Sequence, residues 1–403
     1  MKLYAQQGHG TGSGENDRII AGLSAGCIQG VIVSPKDYGV SRAQALFEQM
    51  ESQTPSADRF FDPQWYASIL AHDPDSRMGK LGSEDYPFFD ARRRSQLESE
   101  SRVRADLEAC LRFQAGLSVT AVIAPGIVIR QRFNSIEGVI AKSFIRNATD
   151  VWSSIGDDRP LYVTLAIDAE ALQDRHELEE FLSEITVMDS SPDGFYVLVH
   201  HLTSEIEPEL VDPRTLAGWM FINHSLNLNG FQVINGYSDI LTPFLAAAGG
   251  SAGATGWWNT QKKFSLNRFS PPTPGGRRPV YRYLSAKLLN SIRIDELQLL
   301  RQSFPEILND LPSDNSYDAQ NGSLPDNQLV EVLQTWEAIA SLDPDTAPVP
   351  LIACKSRIGV AQDLYDRINL APGMRLTGRS NGDHLQSLQT ALQLFAELAE
   401  IDL

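Results

Sequence analysis

Short apolar runs alternate with longer amphipathic segments over the first two-thirds of the chain. This is the pattern of a parallel sheet joined by crossover helices. It predicts a first strand over 2–7 and a helix from about residue 15, with Ile19, Ile20 and Leu23 at helical spacing. A second strand is expected at 30–34, then a helix to about residue 53 with Ser41 as its N-cap. The third strand, 58–62, ends in Asp62-Pro63-Gln64-Trp65-Tyr66. Residues 72–90, rich in Asp, Pro and aromatics, read as a long loop or insertion. A helix over 92–116, a strand over 118–124 closed by Pro125-Gly126, and a helix over 134–155 follow. Strands at 161–167 and 194–199 end at Asp168 and at His200-His201, with an acidic helix over 169–186 between them. A helix at 213–228, a strand at 231–235, a short helix at 241–248 and a strand at 253–257 complete the series.

Eight strands with intervening helices in about 257 residues match the length of a (β/α)8 barrel. The expected organisation is a TIM-like barrel over 1–283, with a loop insertion near 72–90. The alternative is a doubly wound α/β sheet, which carries a glycine-rich phosphate turn after an early strand. Gly8-His9-Gly10-Thr11-Gly12-Ser13-Gly14 follows the first strand, but its glycines alternate and no P-loop Lys-Ser/Thr follows. Beyond residue 283 helical spacing prevails at 284–304, 327–342, 356–368 and 384–401. A helical C-terminal module over 284–403 is therefore expected.

Composition narrows the classes. The 403 residues are 42% hydrophobic, as in a globular protein. A net charge of -17 and a pI near 4.8 argue against nonspecific coating of DNA or acidic membranes. Cys27, Cys110 and Cys354 form no CxxC pair, so neither a disulfide framework nor a zinc cluster is expected, and no cofactor is implied. The start of the chain lacks a signal-peptide pattern and no run approaches membrane-spanning length, so a soluble cytoplasmic protein is expected.

One stretch departs from this acidity. Between Ile240 and Ile294 there are eight Lys/Arg and no Asp/Glu. Lys262, Lys263, Arg268, Arg277, Arg278 and Arg282 alternate there with Trp257, Trp258, Phe264, Phe269, Tyr281 and Tyr283. Arginine and lysine bind phosphates and aromatic rings stack on bases, so a nucleotide or nucleic acid is the expected partner of 257–283. A protein partner docked on the same anchors, or packing of the stretch on its own acidic chain, are the alternatives.

Residues at the C-terminal ends of barrel strands face the active site. That rule selects Gln6, Gln7 and His9, then Lys36 and Asp37, Asp62, Arg130 and Arg132, Asp168 and His200. Asn235, Tyr237 and Asp239 follow the seventh strand, and Trp258 and Asn259 the eighth. Asp62, Asp168 and Asp239 could supply a general acid, a base or a nucleophile; helix capping is the bland reading of each. His200 and His201 alternate across the sheet, so they cannot both point inward. No metal-ligand spacing supports a metal site.

Asp62-Pro63-Gln64-Trp65-Tyr66, Ala254-Thr255-Gly256-Trp257-Trp258-Asn259 and Gly275-Gly276-Arg277-Arg278-Pro279 resemble a group of uncharacterised bacterial proteins. In architecture, a barrel with a basic late segment resembles the tRNA-guanine transglycosylase superfamily, whose members exchange a base in RNA or DNA. The zinc-binding cysteine cluster of those enzymes is missing here. The resemblance implies base exchange or hydrolysis at an N-glycosidic bond, for which paired aspartates suit an oxocarbenium-like transition state. The competing expectations are a non-catalytic subunit of a larger assembly, such as a phage-defence complex, and a carbohydrate-active barrel hydrolase.

Overall fold

The computed structural model describes residues 1–8, 15–202, 211–271, 282–317 and 328–403. The glycine-rich 9–14 with His9, and 272–281 with Arg277, Arg278 and Tyr281, lie outside them.

The barrel is built from β1 (Lys2–Gln7), β2 (Gly30–Val33), β3 (Asp58–Phe61), β4 (Val122–Ala124), β5 (Val128–Ile129), β6 (Leu161–Asp168), β7 (Gly194–His200), β8 (Gln232–Asn235) and β9 (Ala252–Thr255). Among the described residues these nine form one parallel sheet in the order β3-β2-β1-β9-β8-β7-β6-β4, with β5 also paired to β6. β4 and β5 are two pieces of one stave, broken at Pro125-Gly126. A Cβ on Gly126 would lie 2.7 Å from the Thr164 carbonyl, so only glycine lets the chain pass so near β6. The gap between β3 and β4 is closed by Thr120, whose N–H donates to the Arg59 carbonyl at 2.9 Å while its Oγ1 accepts from Arg59 N at 2.8 Å. The chain is an α/β protein with a nearly closed (β/α)8 barrel, as the alternation predicts.

The helices are α1 (Glu15–Ser24), α2 (Val40–Gln53), α3 (Arg94–Leu97), α4 (Glu100–Ala115), α5 (Ile136–Ile155), α6 (Arg175–Thr186), α7 (Pro213–Leu228) and α8 (Thr242–Ala247). Local chemistry sets their ends. Ser135 Oγ accepts from Gly138 N at 3.1 Å to open α5, and Gly156 closes it at φ 79°. Asp174, rather than Asp168, caps α6. Gly39, rather than Ser41, precedes the first residue of α2. The expected helix over 92–116 is split, and Arg92 beside it binds Asp106 through Nε and Nη2, the latter at 2.7 Å.

Residues 72–90 are folded onto the barrel, with Leu81, Tyr86 and Phe88 buried. Lys80 N donates to Lys36 O at 2.7 Å and Arg77 N to Phe269 O at 2.6 Å, which ties this segment to the loops after β2 and β9.

A hairpin, β10 (Arg282–Ser285) with β11 (Asn290–Arg293), stands where the sequence predicts the start of a helix. Leu289 at φ 52° turns the chain there, and Asn290 Nδ2 is held by Tyr365 Oη and Asn381 O. A short α9 (Asn259–Lys262) precedes the hairpin, and α10 (Ile294–Ser303), α11 (Gln328–Ala340), α12 (Pro350–Leu370) and α13 (Asp383–Ala399) follow it. α11 packs on α1, α12 on α8 and α13 on α7, and the Trp336 indole N–H donates to Thr255 O at 3.3 Å. Their apolar faces join one continuous core with the barrel.

Candidate functional site

Strand parity decides which side chains enter the barrel. Along β7, Tyr196, Leu198 and His200 share the inner face and Phe195, Val197 and Val199 the outer one. Along β3 the inner residues are Asp58, Phe60 and, one step past the strand, Asp62. Small residues, Gly236, Ala252 and Ala254, line the β8–β9 side and leave room for the tyrosines opposite. A Cβ on Gly236 would sit 2.7 Å from the Tyr196 Oη.

Asp62 is at the centre of the upper layer and is 0% exposed. Its Oδ1 accepts from the backbone N–H of Gln64 at 2.9 Å. Its Oδ2 accepts from Tyr66 Oη at 3.0 Å, Ser34 Oγ at 3.4 Å and Tyr196 Oη at 3.5 Å. Gln6 donates to Ser34 Oγ at 3.2 Å. Tyr237 Oη meets Ser34 Oγ at 3.3 Å and accepts from Arg268 Nη1 at 2.8 Å. Burial lifts the Asp62 carboxyl to about 6, against the opposing pull of the Gln64 N–H, Tyr66, Arg268 and Ser34. Burial likewise raises the phenols of Tyr66, Tyr196 and Tyr237, so all three are neutral. Asp62 is thus a carboxylic acid that keeps its proton into mildly acidic solution.

Beside this cluster, at the ends of β6 and β7, His200 Nδ1 lies 2.7 Å from Asp168 Oδ1. Arg130 Nη1 reaches the same oxygen at 3.5 Å. The imidazole Nε2 is buried and has no hydrogen-bond partner among the described residues. His201 points elsewhere; burial, reinforced by Lys263, holds its ring neutral.

Phe264 joins the two groups. Its ring centroid lies 5.0 Å from Tyr66, 5.6 Å from Tyr237 and 6.0 Å from His200. His201 N donates to Phe264 O at 3.0 Å and Ser265 Oγ to His201 O at 2.7 Å, which fix the segment over the mouth. Part of the basic, aromatic stretch therefore folds back into its own barrel: Lys263, Phe264, Leu266 and Phe269 are buried and Arg268 enters the mouth. Backbone strain gathers here as well. The non-glycine residues with positive φ in the barrel, Gln64, Gln131, Tyr237 and Asp239, all lie just past C-terminal strand ends.

The remaining sequence candidates make contacts of their own. Gln7 is buried at the end of β1, where its carbonyl accepts from Ser34 N at 2.7 Å. Lys36 Nζ pairs with Asp37 at 3.2 Å and its backbone N–H donates to Gln64 Oε1 at 2.9 Å. Asn235 faces away from the mouth, because Ile234 and Gly236 hold the inner positions. Its side chain accepts from Trp219 Nε1 at 2.7 Å and donates to Asn223 Oδ1 at 2.7 Å, both on α7. Asp239 accepts from Thr255 Oγ1. Trp257 lies 6.3 Å from Trp336, with the Arg18 guanidinium 5.4 Å above its ring. Trp258 precedes α9, and Asn259 and Lys262 are its ends, with Lys262 near Glu331. Arg282 belongs to the hairpin and donates to Ser291 O at 2.6 Å. Sequence reasoning missed Tyr196 and Ser34; counting back in twos from His200 along β7 would have found the first.

Among the described residues no helix is long and apolar enough to cross a membrane, and no group of three His, Cys, Asp or Glu could hold a metal ion. No family model matches the chain, and no curated protein matches it. Among solved structures, a mandelate racemase/muconate lactonizing family protein from Azoarcus sp. EbN1 matches at 12% identity and TM-score 0.30, over 68% of this chain and 51% of that one. The xyloglucan-specific beta-1,4-glucanase XEG5B, from a ruminal metagenomic library, matches at 11% identity and TM-score 0.35, over 63% of this chain and 80% of its own. Dihydrodipicolinate synthase from Oceanobacillus iheyensis matches at 10% identity and TM-score 0.31, over 97% and 94%. This chain thus spans about half the length of the racemase-family neighbour. None of the three is a tRNA-guanine transglycosylase.

Proposed function

We propose that the chain is an acid–base enzyme that cleaves or exchanges a glycosidic bond at the barrel mouth, with the N-glycosidic bond of a nucleotide as substrate class. The observation that carries this reading is the His200 imidazole, bound to Asp168 through Nδ1 and unpartnered at a buried Nε2 among the described residues. An imidazole held in this way is oriented as a general base. In hydrolysis His200 Nε2 takes a proton from water as the water oxygen bonds to the anomeric carbon. Asp168 stabilises the imidazolium that forms. The glycosidic bond breaks as Asp62 gives its proton to the leaving nitrogen. Each proton is then returned by exchange between the two groups and solvent. An acid that titrates near 6 and a base in one mouth are the pairing that such chemistry requires. The cations Arg268 and Arg130 support an anionic substrate.

The test is release of free base from a panel of nucleosides and nucleotides, with aryl glycosides as the carbohydrate arm. Turnover of a nucleotide that is lost in His200→Gln is the expected outcome; no turnover of any member by the wild type would overturn the reading. A non-catalytic, partner-docking subunit is the second reading, favoured by the complete burial of Asp62 beneath the segment that carries Phe264. On that reading Arg277→Glu/Arg278→Glu disrupts an assembly recovered from cells, and His200→Gln leaves it intact.

A further inference from the structure

Arg268 differs from the other enclosed arginines in what meets its donors. Arg59 is buried with its donors on the Ser118 and Ala57 carbonyls, Arg92 is paired with Asp106 and Arg159 with Asp157. Arg268 has no carboxylate within ion-pair distance among the described residues; its polar contact there is the neutral Tyr237 hydroxyl, through Nη1. Its Nε is buried without a partner among them. Burial works against the charge, while the oxygens of Tyr237, Tyr66, Asp37 and Asp62 outweigh that and keep the side chain cationic. The neighbouring carboxylates Asp37 and Asp62 lie beyond ion-pair distance, which leaves an enclosed cation that a bound anion would complete.

The backbone is shaped around this side chain. Gly8, at the end of β1, would place a Cβ 3.3 Å from Arg268 Nη2 and 3.0 Å from the Ser34 Cβ. Glycine there leaves the guanidinium its room. Tyr237 and Phe269 hold the guanidinium carbon at 5.9 and 5.7 Å from their ring centres, which sets its plane.

We propose that Arg268 is the anion-binding residue of the mouth and takes the phosphate of a small phosphorylated substrate. The planar fork of donors matches a phosphate edge bidentately. A lone phosphate fits the site better than a polynucleotide, since a chain of net charge -17 repels a long polyanion. This inference rests on the reading of the mouth as a substrate site but not on turnover.

The experiment is calorimetric titration of the full chain with inorganic phosphate, and separately with acetate. It compares wild type, Arg268→Gln and Tyr237→Phe, each checked for folding by circular dichroism. Wild type should bind phosphate with a Kd on the order of 1 mM, a weak but measurable affinity. Arg268→Gln should weaken it at least about tenfold, the expected result of losing a charge-assisted pair. Tyr237→Phe should tighten it, because Nη1 is released from the phenol. Equal phosphate affinity in wild type and Arg268→Gln, or none in the wild type, overturns the inference. Acetate binding as tight as phosphate overturns the phosphate assignment. If Arg268→Gln fails to fold, unchanged affinity in Tyr237→Phe is the overturning result. Phosphate binding without base release would sink the hydrolytic reading and leave this one standing; base release without Arg268-dependent phosphate binding would do the reverse.

Discussion

Strand β3 carries a carboxylate at each end of the barrel interior, and their surroundings differ. At the lower end, Asp58 Oδ2 accepts from Lys2 Nζ at 2.7 Å and from Tyr4 Oη at 2.7 Å. It borders a cavity of about 150 Å3 lined in part by Tyr4, Phe60 and Tyr162. Four residues on, Asp62 is sealed from solvent and accepts only from neutral donors. One carboxylate is paired and serves the fold. The other is held where its charge is unwelcome, and the strained Gln64 donates its backbone N–H to it. On the proposed reading, this barrel follows the general division of (β/α)8 barrels, with stability at the lower end and chemistry at the upper.

The sharpest way to break this comparison is to remove the proposed base at the upper end. His200→Gln should lower turnover by roughly a thousand-fold, within the range for losing a general base, with folding retained. Steady-state rates with whichever nucleotide proves to be a substrate would show it; a rate within a few-fold of wild type would remove His200 from the mechanism.

Next in size is the stability stored at Asp62. Its carboxyl titrates at about 6 in the native protein, against 3.8 for an ordinary aspartate. Below the lower value both states are protonated and the group contributes nothing. As pH rises between the two, the unfolded chain ionises first and the native state loses stability. Above about 6 the loss is constant. The shift corresponds to at most about 3 kcal/mol. Asp62→Asn should therefore be more stable than wild type at pH 7, and this advantage should vanish toward pH 4. Urea denaturation at the two pH values checks it. Asp58→Asn should behave in the opposite sense at pH 7, costing about 1 kcal/mol through weakened bonds to Lys2 and Tyr4.

Much of the fold is written in the chain's periodicity, because each stave has to bury an apolar run and each crossover helix one face. β7, with every residue from Gly194 to His200 buried, is an example. The strand-end rule also places Asp62, Asp168, His200 and Tyr237 near the mouth. It fails for Asn235, where a step of one residue turns the side chain outward to Trp219. What periodicity does not carry is long-range contact. Phe264 and Arg268 meet Tyr66 and Tyr237 only because the segment after β9 folds back, and composition alone describes that segment as a ligand surface. The hairpin at Arg282 was hidden in the same way, by a leucine spacing that suits a helix until Asn290 is bound by α12.

The smallest effect sharpens the picture at a single bond. Tyr66 donates to Asp62 and draws its carboxyl downward, so Tyr66→Phe should move the Asp62 midpoint above about 6. Removal of Tyr66 with no upward movement would mean that burial alone sets the value.

The most direct test is a carbon-13 NMR titration of the side-chain carboxyls, with the Asp62 signal assigned by its loss in Asp62→Asn. The account predicts a midpoint near pH 6, held there by burial. A midpoint at or below 3.8 would contradict it, because Asp62 would then be ionised in neutral and mildly acidic solution alike and could not serve as the proposed proton donor.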